Sequence, residues 1–103
     1  MNEASPADFQ KQQDRRFVDR AYRLIVRLAR TQHTIHVEDI WDYAEAHHWR
    51  LPSNHKIVGQ AFSRAARDGI LRSSDVAIKV TRHGGHYYRP IWISRKYAKQ
   101  VAA

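Results

Sequence analysis

Histidines are the side chains in this sequence that most readily suggest chemistry, because imidazole is both a metal ligand and a general base near neutral pH. The chain has seven of them in 103 residues, and no cysteine. His33 and His36 are three positions apart, as are His83 and His86. Neither pair comes with the further ligands, at metal-binding spacing, that a four-coordinate site needs. We therefore expect no metal and no cofactor, and assign the second pair to phosphate contact or hairpin packing.

Carboxylates offer a second route to catalysis. Four of them lie along one short predicted helix: Glu38, Asp39, Asp42 and Glu45. This spacing favours a solvated helix face, since Mg²⁺ would need ligands from another element as well. The sequence also lacks a glycine-rich phosphate loop and a nucleophile elbow. We expect no enzymatic activity.

The distribution of charge along the chain says more about function than the histidines or the carboxylates do. The formal net charge is +8, and the segment from Arg50 onward holds eleven of the eighteen basic residues and two of the ten acidic ones. Such a surface favours a polyanionic partner, because each neutralised phosphate releases condensed counterions. A solubilising surface is the alternative. Charge alone is equally compatible with DNA, RNA or an acidic protein.

A long amphipathic helix is predicted from about Asp8 to Thr31. Apolar residues recur with a period near 3.6, which indicates a wide buried face. The opposite side carries a row of arginines, which we interpret as a solvated face or as a contact for phosphate or a partner: Arg16, Arg20, Arg23, Arg27 and Arg30. Residues 1–13 are predicted to include a flexible N-terminal tail.

Two shorter helices follow an extended stretch at residues 34–37. One should begin at Glu38-Asp39 and carry Ile40, Trp41 and Ala44 inward. The other should span 53–68, with Ser53 or Asn54 as its N-cap and Gly69 as a left-handed C-cap. Its predicted buried row is Val58, Ala61, Phe62 and Ala65.

The hydrophobic period changes to two after Gly69, which predicts strands. Gly84-Gly85 fits the two-residue loop of a β-hairpin over 76–94. That loop pairs His83 with His86 and Arg82 with Tyr87. It also pairs Ile78 with Ile91 and Val76 with Ile93. Pro90 predicts that the returning strand is at an edge or interrupted there, and residues 95–103 form a basic C-terminal tail.

The order of these elements, with the run from Val58 to Leu71 and the hairpin after it, resembles the winged helix-turn-helix fold. The resemblance covers residues 14–94 and extends to the small winged-helix proteins of phages and other prokaryotic mobile elements. It implies an α+β domain with a three-helix core and a C-terminal β-hairpin wing. It also implies that the third helix enters the DNA major groove, while the wing contacts the backbone or minor groove.

The residue types on both elements suit duplex DNA. Arginine can read guanine and glutamine can read adenine through paired hydrogen bonds, whereas lysine and a helix N-terminus suit phosphate. The predicted recognition-helix residues are Ser53, Asn54, Lys56, Gln60, Ser63, Arg64 and Arg67. The predicted wing residues are Lys79, Arg82, His83, Gly84, Gly85, His86, Tyr88 and Arg89.

The favoured function is therefore a DNA-binding protein, either a transcriptional regulator or an accessory factor of a phage or mobile element. The alternative is a winged-helix protein-interaction module that docks an acidic partner, for example a phage-encoded inhibitor of a host enzyme. RNA or junction binding through the arginine row is a third reading, and a homodimer stays open. No apolar run is long enough for a membrane span, so we expect a cytoplasmic protein, associated with the nucleoid when bound to DNA.

Overall fold

Helices and strands follow one another in a mixed order along the chain. The computed structural model describes residues 6–52, 54–82 and 85–97, with the backbone alone for 80–82 and 85–87. The prediction of an α+β fold with three helices and a C-terminal hairpin is confirmed. Its elements are α1 (Pro6–Thr31), β1 (Thr34–Ile35), α2 (Val37–Ala46), a 3₁₀ turn (His55–Ile57), α3 (Val58–Arg67), β2 (Leu71–Arg82) and β3 (Gly85–Ser94).

The three strands form one antiparallel sheet with the order β1-β3-β2. The short β1 pairs Thr34 with Ile93 and Ile35 with Trp92, at the end of β3 next to the helices. Pro90 therefore lies in the central strand, but beyond the reach of β1. It sits opposite Ala77 of β2, and its missing N–H breaks no hydrogen bond to β1. A β-hairpin wing is compatible with this arrangement.

The predicted hairpin register is wrong by two residues. Ile78 pairs with Arg89 rather than Ile91, and Arg82 pairs with Gly85 rather than Tyr87. A shift of two residues keeps every side chain on the same face of the sheet. The alternation of apolar and polar residues could therefore not distinguish the two registers.

The two histidines of the predicted turn do not face each other either. His86 pairs with Thr81, while His83 and Gly84 lie outside the described residues. An irregularity between Ser73 and Ala77 shifts the register again.

That irregularity explains a further error. Arg72, not Val76, pairs with Ile93, because the extra residues in β2 displace Val76 from the ladder. Val76 is 57% exposed, whereas the sequence pattern predicted it to face inward.

The hydrophobic core lies between the helices and one face of the sheet. Phe17 of α1 stacks on Trp41 of α2 with ring centres 5.3 Å apart, and Phe62 of α3 stacks on Trp92 of β3 at 5.5 Å. The predicted inward rows of α2 and α3 are confirmed. Buried apolar residues are Phe17, Ala21, Leu24, Ile25, Ala29, Ile35, Val37, Ile40, Trp41, Ala44, Val58, Ala61, Phe62, Ala65, Ile70 and Leu71.

Both α2 and α3 end in the same left-handed turn. After α3, Gly69 has a φ of 77°, and Ile70 N–H donates to the Ala65 carbonyl at 2.9 Å. After α2, His48 has a φ of 54°, and Trp49 N–H donates to the Ala44 carbonyl at 2.9 Å. These are Schellman motifs. Gly69 was predicted in this role; His48 was not, because a histidine gives no turn signal.

The ends of the domain are more structured than the sequence pattern predicted. Helix α1 begins at Pro6, so residues 6–13 of the expected tail are helical. At the other end, the buried Ser94 hydroxyl donates to the Ala29 carbonyl and accepts from the backbone N–H groups of Lys96 and Tyr97. In the part of the chain that the structure describes, no helix has both the length and the apolar character of a bilayer span.

Candidate nucleic-acid interface

The outer side of α3 presents a polar, positively charged face. At 100° per residue along α3 and 120° per residue along the 3₁₀ turn before it, Lys56, Ser63 and Arg67 project within about 60° of one another, opposite the buried Val58 and Ala65. All three are exposed. We call them the open face of α3.

The start of this segment is capped by Asn54. Its Oδ1 accepts from Lys56 N–H at 2.9 Å, which satisfies one of the free donors at a helix start. The cap opens the 3₁₀ turn rather than α3 itself, so the predicted helix over 53–68 is correct for its last three turns alone. Ser53, the other candidate cap, lies outside the described residues.

Arg64 does not project from the open face. Its guanidinium lies over the Tyr22 ring of α1, 4.0 Å from the ring centre, and donates from Nη1 to Asp19 Oδ1 at 3.1 Å. Its side chain is 41% exposed. The geometry makes Arg64 a bridge between α3 and α1, which differs from the predicted role of reading bases.

Tyr22 makes a second connection between the same helices. Its hydroxyl donates to Asp68 Oδ2, just after α3, at 2.6 Å. This hydrogen bond to a carboxylate raises the pKa of the Tyr22 phenol above its ordinary value. Pattern analysis missed Tyr22, Asp19 and Asp68, because contacts between positions about 45 residues apart leave no mark in local spacing.

Gln60 lies between the open face and α1. It is exposed, and together with Ile57 it lines a cleft of about 330 Å³ against α1. The α1 side of this cleft carries Lys11, Asp14, Arg15, Val18 and Asp19. Gln60 is therefore accessible to a ligand, but it shares its surroundings with two carboxylates.

Gly59 lies on the flank of the open face that points away from α1. A β-carbon built at this position would meet nothing within 4 Å. Glycine inside a helix costs about 1 kcal/mol relative to alanine, and no neighbour within the described chain requires its small size. A requirement for close approach by another molecule would explain the residue.

The hairpin divides its predicted contact residues between two faces. Lys79 pairs with Tyr88, and both are exposed, Tyr88 at 71%. Arg89 follows Tyr88 in β3 and pairs with Ile78, so it belongs to the other face. The backbones of Arg82, Gly85 and His86 lie near the tip, while His83 and Gly84 lie outside the described residues.

The face with Lys79 and Tyr88 is continuous with the core side of the sheet. Along β3, Tyr88, Pro90 and Trp92 alternate onto one face, and Trp92 packs on Phe62 of α3. The hairpin thus extends past α3 with Lys79 and Tyr88 on the side of the sheet that α3 covers. Two of the predicted wing residues therefore lie on the same side of the sheet as α3.

His33 and His36, the pair that the structure describes, contact other groups of the chain. His33 is exposed and makes an edge contact with Tyr97, with ring centres 5.7 Å apart. His36 begins α2, where its N–H donates to Asp39 Oδ2 at 2.8 Å. Residues 6–52, 54–82 and 85–97 contain no group of three or more potential metal ligands.

Comparisons of this chain with family models, curated proteins and solved structures found no match.

Proposed function

We propose that this protein binds duplex DNA as a small winged-helix protein. The open face of α3 enters the major groove, and the β2–β3 hairpin contacts the flanking backbone or minor groove. The observation that carries the proposal is the exposed row of Lys56, Ser63 and Arg67, beside a hairpin that extends with Lys79 and Tyr88 on the same side.

The order of elements and the β1-β3-β2 sheet support the winged-helix assignment. In that arrangement the third helix is packed on one side and free on the other. Here the packed side of α3 holds Val58 and Phe62, which are buried, while the free side carries polar residues. A free helix of this kind is the right size for a major groove about 12 Å wide.

Each residue of the open face then has a specific role. Lys56, close to the Asn54 cap, neutralises a phosphate. Arg67 reads the O6 and N7 atoms of guanine, and Ser63 donates to or accepts from a neighbouring base edge. Gly59 lets the helix backbone approach the groove wall closely. Arg64 holds α3 at its angle on α1 and reads no base.

Such a protein would act as a transcriptional regulator or as an accessory factor of a phage or mobile element, in the cytoplasm and on the nucleoid. Selection from a random duplex library, followed by fluorescence anisotropy with the selected site, tests the DNA-binding step. The informative variant is K56Q/R67Q. Its matched control is R72Q/R95Q, which removes the same charge at two exposed positions outside the open face of α3.

The proposal predicts that K56Q/R67Q weakens binding at least tenfold more than R72Q/R95Q does. Equal effects of the two variants would show that net charge, and not the open face, governs binding. Absence of any selected sequence would contradict sequence-specific recognition.

A protein-docking role is the second candidate, favoured by two exposed apolar side chains on the hairpin, Val76 at 57% and Tyr88 at 71%. It predicts a stoichiometric complex with an acidic protein that survives nuclease treatment. It also predicts that V76D breaks this complex, whereas DNA binding through α3 would be insensitive to V76D.

A further inference from the structure

Helix α1 carries a second basic surface, on the side that lies beside Tyr43 of α2 and Trp49. Five exposed arginines project within about 80° of one another and span about 21 Å of helix. We call this row the arginine face; its members are Arg16, Arg20, Arg23, Arg27 and Arg30. Arg50, also exposed, extends it beside Arg16 and Arg20, where the three line a cleft of about 200 Å³ with Phe17.

Aromatic rings hold two of these arginines in place. The guanidinium of Arg20 lies over the Trp49 ring at 5.8 Å, and that of Arg27 lies over Tyr43 at 5.2 Å. His47 stacks on Tyr43 with ring centres 3.9 Å apart. A guanidinium stacked on a ring loses less freedom when it binds an anion than a freely moving one does.

The arginine face and the open face of α3 lie beside different neighbours of α1. The region between them is mixed in charge: the α1 side of the cleft between α1 and α3 carries Lys11, Asp14, Arg15 and Asp19, and Asp68 accepts from Tyr22 at the end of α3. The arginine face instead lies beside Tyr43 of α2 and Trp49. The two basic surfaces are therefore suited to two separate polyanion segments.

We propose that the arginine face binds the phosphate backbone of a second DNA duplex, so that one molecule bridges two duplex segments. This inference rests on the proposed function, which places the first duplex on the open face of α3. Phosphates of one strand recur every 3.4 Å along the duplex axis, so a 21 Å row spans about six of them. The row and Arg50 supply a similar number of cations.

A duplex backbone fits this face better than unpaired bases do. Single-stranded nucleic acid is bound largely by stacking its bases on free aromatic rings. Here Arg20 covers Trp49, and Tyr43 stacks with both Arg27 and His47. The rings are occupied by the protein itself, and charged groups are what the surface presents outward.

A bridging assay tests the proposal directly. One biotinylated duplex carrying the selected site is fixed to beads, and capture of a second, fluorescent duplex of unrelated sequence is measured. The variant R16Q/R23Q leaves the two ring-stacked arginines intact, and glutamine has nearly the helix propensity of arginine. The control R72Q/R95Q removes the same charge from exposed positions outside both surfaces. Lys96 is left unchanged in the control because it lines a cleft with Arg30.

We expect the wild-type protein and the control to capture the second duplex. The arginine-face variant should bind the first duplex as before but capture the second on the order of fiftyfold less at 0.1 M salt, since about two counterions fewer are released. Circular dichroism verifies that the variant is folded. Light scattering measures its oligomeric state.

Several outcomes would overturn the inference. If the variant bridges as well as the wild type, the bridge comes from protein dimers, each protomer holding one duplex on α3. If polyglutamate at equal charge competes as strongly as the second duplex, the face binds acidic chains in general. If the wild-type protein binds the first duplex normally but does not capture the second, the bridging inference is wrong and the proposed function still stands. If the wild-type protein binds no duplex at all, the proposed function itself is wrong.

Discussion

The guanidinium of Arg64 lies 4.0 Å from the centre of the Tyr22 ring and 3.1 Å from Asp19. One contact is a cation–π interaction and the other an ion pair, and both join α3 to α1. Arg67, one turn further along α3, is exposed. The two arginines of α3 therefore differ in role: Arg64 joins α3 to α1, and Arg67 is accessible to a ligand.

Arg64 and Arg67 should therefore respond differently to substitution. We expect Arg64→Ala to lower the free energy of unfolding by about 1 kcal/mol, from a cation–π contact and a half-exposed ion pair, and to weaken binding to all duplexes alike. Arg67→Ala should leave stability unchanged and cost about 1–3 kcal/mol on the preferred DNA site. Urea denaturation and anisotropy with cognate and scrambled duplexes measure these effects. A loss of base preference in Arg64→Ala would contradict the assignment.

The two left-handed helix ends allow a reciprocal experiment. His48→Gly should raise the free energy of unfolding by about 1 kcal/mol, because glycine adopts positive φ without the steric cost of a β-carbon. Gly69→Ala should lower it by a similar amount for the same reason. Both are measured by urea denaturation. If His48→Gly destabilised the protein, the histidine side chain would have a role that outweighs its backbone strain.

Substitutions at Gly59 should distinguish an effect on helix stability from an effect on DNA binding. Gly59→Ala should stabilise the protein by about 0.5–1 kcal/mol, since the added methyl group meets open space and alanine favours the helix. Gly59→Leu should keep the fold but weaken DNA binding, because its side chain projects where the groove wall approaches. Thermal unfolding and anisotropy report the two effects separately. Undiminished affinity in Gly59→Leu would place the DNA away from this flank.

The hydroxyl of Ser94 should be important for stability. Ser94→Ala removes the hydroxyl that donates to the Ala29 carbonyl and accepts from the backbone N–H groups of Lys96 and Tyr97. We expect a loss of about 1–3 kcal/mol, because a buried polar group is left without its partner. Ser73→Ala is the control, since the exposed Ser73 hydroxyl donates to the adjacent Ser74 carbonyl alone. Comparable losses in both variants would contradict the role of burial.

The Tyr22–Asp68 hydrogen bond predicts a difference at alkaline pH. The pKa of Tyr22 is raised in the folded state above its ordinary value of 10.0, chiefly by the hydrogen bond to Asp68. The folded protein therefore retains the phenol proton at a pH where the unfolded chain loses it, so this contribution is complete below pH 10 and is lost as pH rises through the folded pKa. Wild type should lose stability more steeply than Tyr22→Phe between pH 9 and pH 12. Parallel curves from urea midpoints would contradict the prediction.

Much of the architecture could be predicted because the burial pattern is local. The row Val58, Ala61, Phe62 and Ala65 repeats with the helical period, and each member is buried. Gly69 could be recognised as the helix end, because glycine is the residue that most often adopts the left-handed conformation after a helix. The predicted hairpin register was wrong at Ile78, because two registers that differ by two residues place the same side chains on each face of the sheet.

The different roles of Arg64 and Arg67 on α3 could not be predicted in the same way. From the sequence, Arg64 and Arg67 have the same chemistry on the same side of one helix. Asp19 and Tyr22 decide between them, and these residues approach Arg64 only through the packing of α1 on α3. Long-range side-chain contacts of this kind follow from the tertiary structure and leave no periodic signal.

The shortness of β1 has a consequence for self-association. Its two residues cover β3 at Trp92 and Ile93, so among the residues that the structure describes the outer part of β3 has a strand on one side alone, and a strand from another copy could add to the other side. Pro90 stands at the beginning of that edge without a backbone N–H, and the exposed Lys79 lies across the hairpin from Tyr88. Proline and lysine are residues by which natural sheets discourage intermolecular strand pairing, so Pro90 disfavours the addition of a strand along β3 and Lys79 places a charge on the neighbouring strand.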